Sequence, residues 1–111
     1  MTDITRYRGD TYGDEIIVTN NAGSPLDITG YVFTLTVDPN RYPTDNTTKL
    51  FQLDGIITDA VNGVVEFAPT SVQADQTPGT YWYDIQMVDT ATKKRTIASG
   101  KYKFVQDITK T

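Results

Sequence analysis

The sequence predicts an all-β fold: an antiparallel two-sheet β-sandwich of about seven or eight strands, with at most one short helical turn. Three observations carry this. Apolar residues alternate with a period of two rather than the helical period of about 3.6. The apolar runs are short and bounded by Gly, Pro, Asn and Asp. The 111 residues suit one domain with one core, so residues 1–111 are read as a single unit.

The elements follow in order. Tyr12 to Thr19 holds the β-branched run Ile16-Ile17-Val18, read as a strand. Asn20 to Pro25 is a loop by composition. In the next strand Tyr31, Phe33, Leu35 and Val37 share one face and Thr34 and Thr36 the other. Lys49 to Leu53 and Ile56 to Ala60 are short strands, and Asn62-Gly63 is a tight hairpin turn leading into Val64 to Phe67. Within Pro69 to Gln76, Ser71 to Ala74 is the candidate helical turn, ended before Pro78-Gly79. From Thr80 to Val88, Tyr81, Tyr83, Ile85 and Met87 oppose Trp82, Asp84 and Gln86. Arg95 to Ser99 and Lys101 to Val105 are read as two closing strands, with a bulge or bend at Gly100. Tyr31, Phe33, Leu35, Ile85 and Met87 are the predicted core.

Composition narrows the chemistry. With no cysteine, disulfides and thiolate metal sites are excluded, and folding in a reducing cytoplasm is expected. With no histidine, a Ser-His-Asp triad is impossible and the commonest zinc ligand is missing. No apolar run is long enough for a membrane-spanning helix, and Met1 to Tyr7 does not read as a signal peptide. Two-carboxylate chemistry needs two acids held at a set separation, and nothing in the sequence pairs any two. No enzyme activity, catalytic residue, cofactor or metal is predicted. The acids Asp10, Asp14 and Glu15, and the pair Asp54 and Asp59, lack the spacing of a calcium loop. Arg8-Gly9-Asp10 spells an integrin tripeptide, but Gly and Asp make turns, and a turn is the reading adopted.

The net charge of −4 is unevenly spread. From Lys93 onward, six bases (Lys93, Lys94, Arg95, Lys101, Lys103, Lys110) meet one acid, a net of +5. The rest of the chain has four bases and thirteen acids, a net of −9. The basic tail matches no nucleic-acid motif. Asp38 to Thr48, with two prolines, is long for an internal loop. It is expected to project, to be ordered mainly by a partner, and to meet that partner through Tyr42, beside Arg41. The candidate interface is therefore Arg41, Tyr42, Lys93, Lys94, Arg95, Lys101 and Lys103.

The order of several signatures is familiar. Arg8-Gly9-Asp10-Thr11 comes before the first long strand, and Gly23-Ser24-Pro25-Leu26-Asp27-Ile28-Thr29-Gly30 before the second. Ile57 to Val65 follows, then Pro78-Gly79-Thr80-Tyr81-Trp82-Tyr83-Asp84-Ile85-Gln86, and last Gly100-Lys101-Tyr102-Lys103-Phe104. Pro78-Gly79-Thr80-Tyr81 also resembles the entry to a tyrosine corner. From about Arg8 to Ile108 the series resembles the immunoglobulin-like domains of tailed-phage virion proteins, in particular the N-terminal domain of baseplate upper proteins and tail-fibre proteins. The resemblance implies an immunoglobulin-like sandwich and a structural adaptor role in tail, baseplate or fibre attachment. It implies contacts with other virion proteins and further copies of the same chain, and a place in the virion after folding in the host cytoplasm. No nucleic-acid or membrane partner is expected. The alternatives are a module that binds a host-surface glycan through exposed aromatics, and a head decoration protein.

Overall fold

A computed structural model of the chain describes residues 3–7, 11, 13–20, 22–43, 48–74 and 76–105. Arg8-Gly9-Asp10 and positions 44–47 of the long loop lie outside the described residues.

Among the described residues, eight strands and one helical turn follow in the order β1 (Ile4–Tyr7), β2 (Asp14–Ile17), β3 (Val32–Asp38), β4 (Phe51–Asp54), β5 (Ile56–Asp59), β6 (Val64–Phe67), α1 (Ser71–Ala74), β7 (Gly79–Val88) and β8 (Lys94–Val105). They form two sheets, ordered β1-β8-β7-β3-β4 and β2-β6-β5. This is the immunoglobulin-like arrangement, with β4 extending the larger sheet. A tyrosine corner fits it: the Tyr81 hydroxyl donates to the Thr77 carbonyl at 2.8 Å.

The alternation read in the sequence is the alternation of burial. Phe33, Leu35 and Val37 of β3 and Tyr83, Ile85 and Met87 of β7 point into the core. Val65 and Phe67 meet them from the smaller sheet. Tyr31 is half-buried at the margin, stacked on Phe33 with ring centroids 6.5 Å apart. Tyr102 and Phe104 of β8 complete an aromatic cluster with Phe51, Tyr81 and Tyr83. In α1, Thr70 and Gln73 form a reciprocal cap: Gln73 N–H donates to Thr70 Oγ1, and Thr70 N–H to Gln73 Oε1.

Four expectations need correction. The sandwich is not wholly antiparallel, because β1 pairs with β8 in parallel, Ile4 opposite Tyr102 through Tyr7 opposite Val105. These are the first and last strands, so the rest of the sandwich supplies the long crossover that parallel pairing requires. The closing segment is one strand of 12 residues, not two. Gly100 stays in register opposite Tyr83, and the irregularity lies at Ile97, where pairing shifts from Ala98–Ile85 to Thr96–Gln86. The first long strand is shorter than Tyr12 to Thr19, ending at Ile17 before an isolated bridge between Thr19 and Pro25. The β5–β6 turn is not a two-residue hairpin, since Asp59 pairs with Val64 across four residues. Gly63 in that turn has φ +72°, and an added Cβ would stand 2.5 Å from the Val18 carbonyl oxygen. Only glycine satisfies both conditions there.

Candidate functional site

The outer face of the larger sheet carries a row across three strands. Trp82 of β7 has Asp38 of β3 opposite on one side and Lys101 of β8 on the other. Asp38 is 4% exposed although it points outward, because the following loop folds over it. Its Oδ1 accepts from the Asn40 amide at 2.7 Å and its Oδ2 from Thr48 Oγ1 at 2.9 Å. One carboxylate thus closes the base of the loop from both ends.

The loop is thus ordered by the chain itself rather than by a partner, and it folds back to lay Arg41 against two rings. The guanidinium carbon is 4.9 Å from the Trp82 ring centroid and 5.2 Å from that of Tyr42. The Lys101 ammonium is 5.8 Å from Trp82. These distances suit cation–π attraction to the negative ring faces. Trp82 is half-buried as a result, whereas Tyr42 is 81% exposed. A groove of about 290 Å³ runs alongside, lined by Thr36, Arg41, Tyr42, Trp82, Asp84 and Ser99 among others. Asp84 is exposed as a residue, yet loss of water beside the groove pushes its carboxyl pKa above the usual 3.8.

The predicted interface residues do not form one patch. Lys101 and Lys103 are exposed on the same face as Trp82 and join Arg41 and Tyr42. Lys93, Lys94 and Arg95 lie at the other end of β8; Arg95 to Lys101 is six residues, about 20 Å of strand. Among the described residues none of Arg41, Lys101 and Lys103 forms an ion pair. Nor is the whole basic segment an edge, because β1 covers β8 from Tyr102 to Val105 and Asp3 Oδ1 accepts from the Lys101 amide at 3.0 Å. Only the stretch near Lys94 and Arg95 lies beyond that cover, where charge discourages sheet-to-sheet pairing.

Among the described residues no three His, Cys, Asp or Glu side chains converge on a metal position. Two of the acids weighed for calcium are engaged elsewhere. Asp14 pairs with Arg6, and Asp59 Oδ2 accepts from the Asn62 side chain at 2.8 Å. No helix among the described residues is long and apolar enough to cross a membrane. Sequence reasoning missed Arg6, which is wholly buried in β1. Arg6 alternates in phase with Ile4, but a base at the core position hides the apolar pattern by which a strand is read.

No family model and no curated protein matches this sequence. Among solved structures, the chain is similar to CopC from Methylosinus trichosporium OB3b at 10% identity, covering 96% of this chain and 85% of that one, with a TM-score of 0.46.

Proposed function

We propose that the domain is a structural adaptor of a tailed-phage virion, working through protein–protein contacts in tail, baseplate or fibre attachment, and that it is not an enzyme. The observation that carries the docking part of this reading is the Arg41–Tyr42–Trp82–Lys101 cluster. Arg, Tyr and Trp are the residues most enriched at binding hot spots, where rigid side chains lose little entropy on contact. Here the loop is tied down by Asp38 before any partner arrives, so part of the ordering cost is already met. The virion assignment is supported by the sequence signatures that resemble phage immunoglobulin-like domains. Other virion proteins are the proposed partners and the particle the proposed location.

The test is incorporation of variants into phage particles. Arg41→Ala and Tyr42→Ala are expected to fold normally and to be depleted from purified particles at least tenfold. Normal incorporation of both would sink the assignment of this cluster.

A host-surface glycan is the second reading, favoured by the exposure of Tyr42. Trp82 argues against it, since Arg41 and Lys101 approach the ring that a sugar would need to stack on. Retention of the chain on a glycan array, lost in Tyr42→Ala, would decide for the glycan.

A further inference from the structure

The two outer faces of the sandwich carry opposite chemistry. The strands of the smaller sheet hold no Lys or Arg, and of their acids Asp14 turns inward to Arg6 while Glu15 and Glu66 face outward. On its outward side Glu15 of β2 stands directly opposite Glu66 of β6. Like charges in that position repel, and among the described residues neither has an ion-pair partner. Around them are apolar side chains turned to solvent: Ile17 is 60% exposed beside Val64, and Ile56 is 62% exposed beside Glu66. The outer face of the larger sheet has the complement: Arg41, Lys101 and Lys103 around Trp82 and the exposed ring of Tyr42. Asp38 is buried there, which leaves Asp84 of β7 and Asp54 of β4, on the sheet's far edge strand, as the exposed acids of these strands.

We propose that a second copy of this chain docks head to tail, the Glu15–Glu66–Ile17–Ile56 face of one copy on the Arg41–Tyr42–Trp82–Lys101 face of the next. This rests on the reading of the latter face as a docking surface, and it names the partner. Charge selects the geometry. A two-fold symmetric contact through either face would set acid on acid or base on base, whereas a head-to-tail contact sets each against its opposite. The bases of one copy relieve the Glu15–Glu66 repulsion of the other, and the exposed isoleucines cover the aromatic rings. Because the faces lie on opposite sides of the sandwich, the contact repeats and builds a ring or a row rather than a closed dimer.

The experiment is sedimentation of the full chain over a range of concentrations in 0.05 M and 0.5 M salt. Association is expected, weakening by about tenfold or more at the higher salt as screening shortens the reach of the charges. Two charge-reversed chains sharpen it: Lys101→Glu with Lys103→Glu, and Glu15→Lys with Glu66→Lys. Each alone is expected to remain monomeric with an unchanged circular dichroism spectrum, and an equimolar mixture to associate. A parent chain that stays monomeric at low salt, or reversed chains that self-associate like the parent, overturns the proposal. If the parent stays monomeric while Lys101→Glu with Lys103→Glu is lost from particles, the second copy is overturned and the docking surface stands with another protein as partner. If that variant enters particles normally as well, both fall.

Discussion

Arg6 of β1 and Asp14 of β2 join the two sheets, with Arg6 Nη1 2.5 Å from Asp14 Oδ2. The guanidinium is wholly buried and the carboxylate partly so. Burial raises the Asp14 pKa above 3.8, and the attraction and hydrogen bond of Arg6 offset this only in part. The pair therefore joins the sheets without being a strong net source of stability. Asp14→Ala removes a charge-assisted hydrogen bond from a wholly buried guanidinium and should cost about 1.5–3 kcal/mol. Replacing both, Arg6→Met with Asp14→Leu, should recover most of that loss. Urea unfolding of the three chains checks this; equal midpoints for Asp14→Ala and the parent would rule it out.

The core makes a simpler demand. Phe33, the second residue of β3, is 1% exposed and stands directly opposite Met87 of β7. Phe33→Ala should destabilise by about 3–5 kcal/mol, the transfer cost plus that of the cavity left behind. An unchanged melting temperature would remove Phe33 from the core.

Asp38 ties the loop to the sheet, so Asp38→Ala should release it. Loss of its hydrogen bonds to Asn40 and Thr48 should lower stability by about 1–2 kcal/mol. Arg41 would then no longer be held against Trp82, the chain's single tryptophan. Its fluorescence should shift to the red as water reaches the ring. A spectrum identical to the parent's would show that the loop is held by other contacts.

Asp84 gives a pH dependence of known sign. Its folded pKa lies above 3.8 because burial disfavours the charge. The folded chain therefore holds this proton more tightly than the unfolded chain. The resulting stabilisation is fully present below 3.8 and is lost as pH rises through the folded value. Asp84→Asn should remove that dependence and raise stability at neutral pH relative to the parent. Unfolding free energies from pH 3 to 7 would check it, and a parallel pair of curves would contradict it.

The sandwich was legible wherever alternation was clean. Phe33-Thr34-Leu35-Thr36-Val37 and Tyr83-Asp84-Ile85-Gln86-Met87 face as their pattern requires, because a buried sheet face admits one register. β1 was not legible. Its core position is filled by Arg6, whose place inside depends on a carboxylate in another sheet, and no local pattern shows such a partner. Gly100 misled because glycine often marks a bulge, whereas here it stands across from the large ring of Tyr83. Of the candidate interface, Arg41, Tyr42, Lys101 and Lys103 come together, and Lys93 to Arg95 do not. Sequence proximity placed the two basic groups in one patch, but an extended strand carries them apart at about 3.3 Å per residue. Trp82 was read as a face residue, while its stacking with Arg41 depends on a loop closure that only the fold shows.

The parallel pairing of β1 with β8 also sets how the domain meets a mechanical load. Ile4 enters that pair at Tyr102 and Val105 leaves it at Tyr7, so tension applied outward from these two points pulls the strands lengthwise past each other. Their hydrogen bonds would then be strained together in shear. An antiparallel pair gripped at neighbouring ends would instead open like a zipper, one bond at a time. A module strung in line between two moving parts would thus yield abruptly at high force rather than unravel gradually.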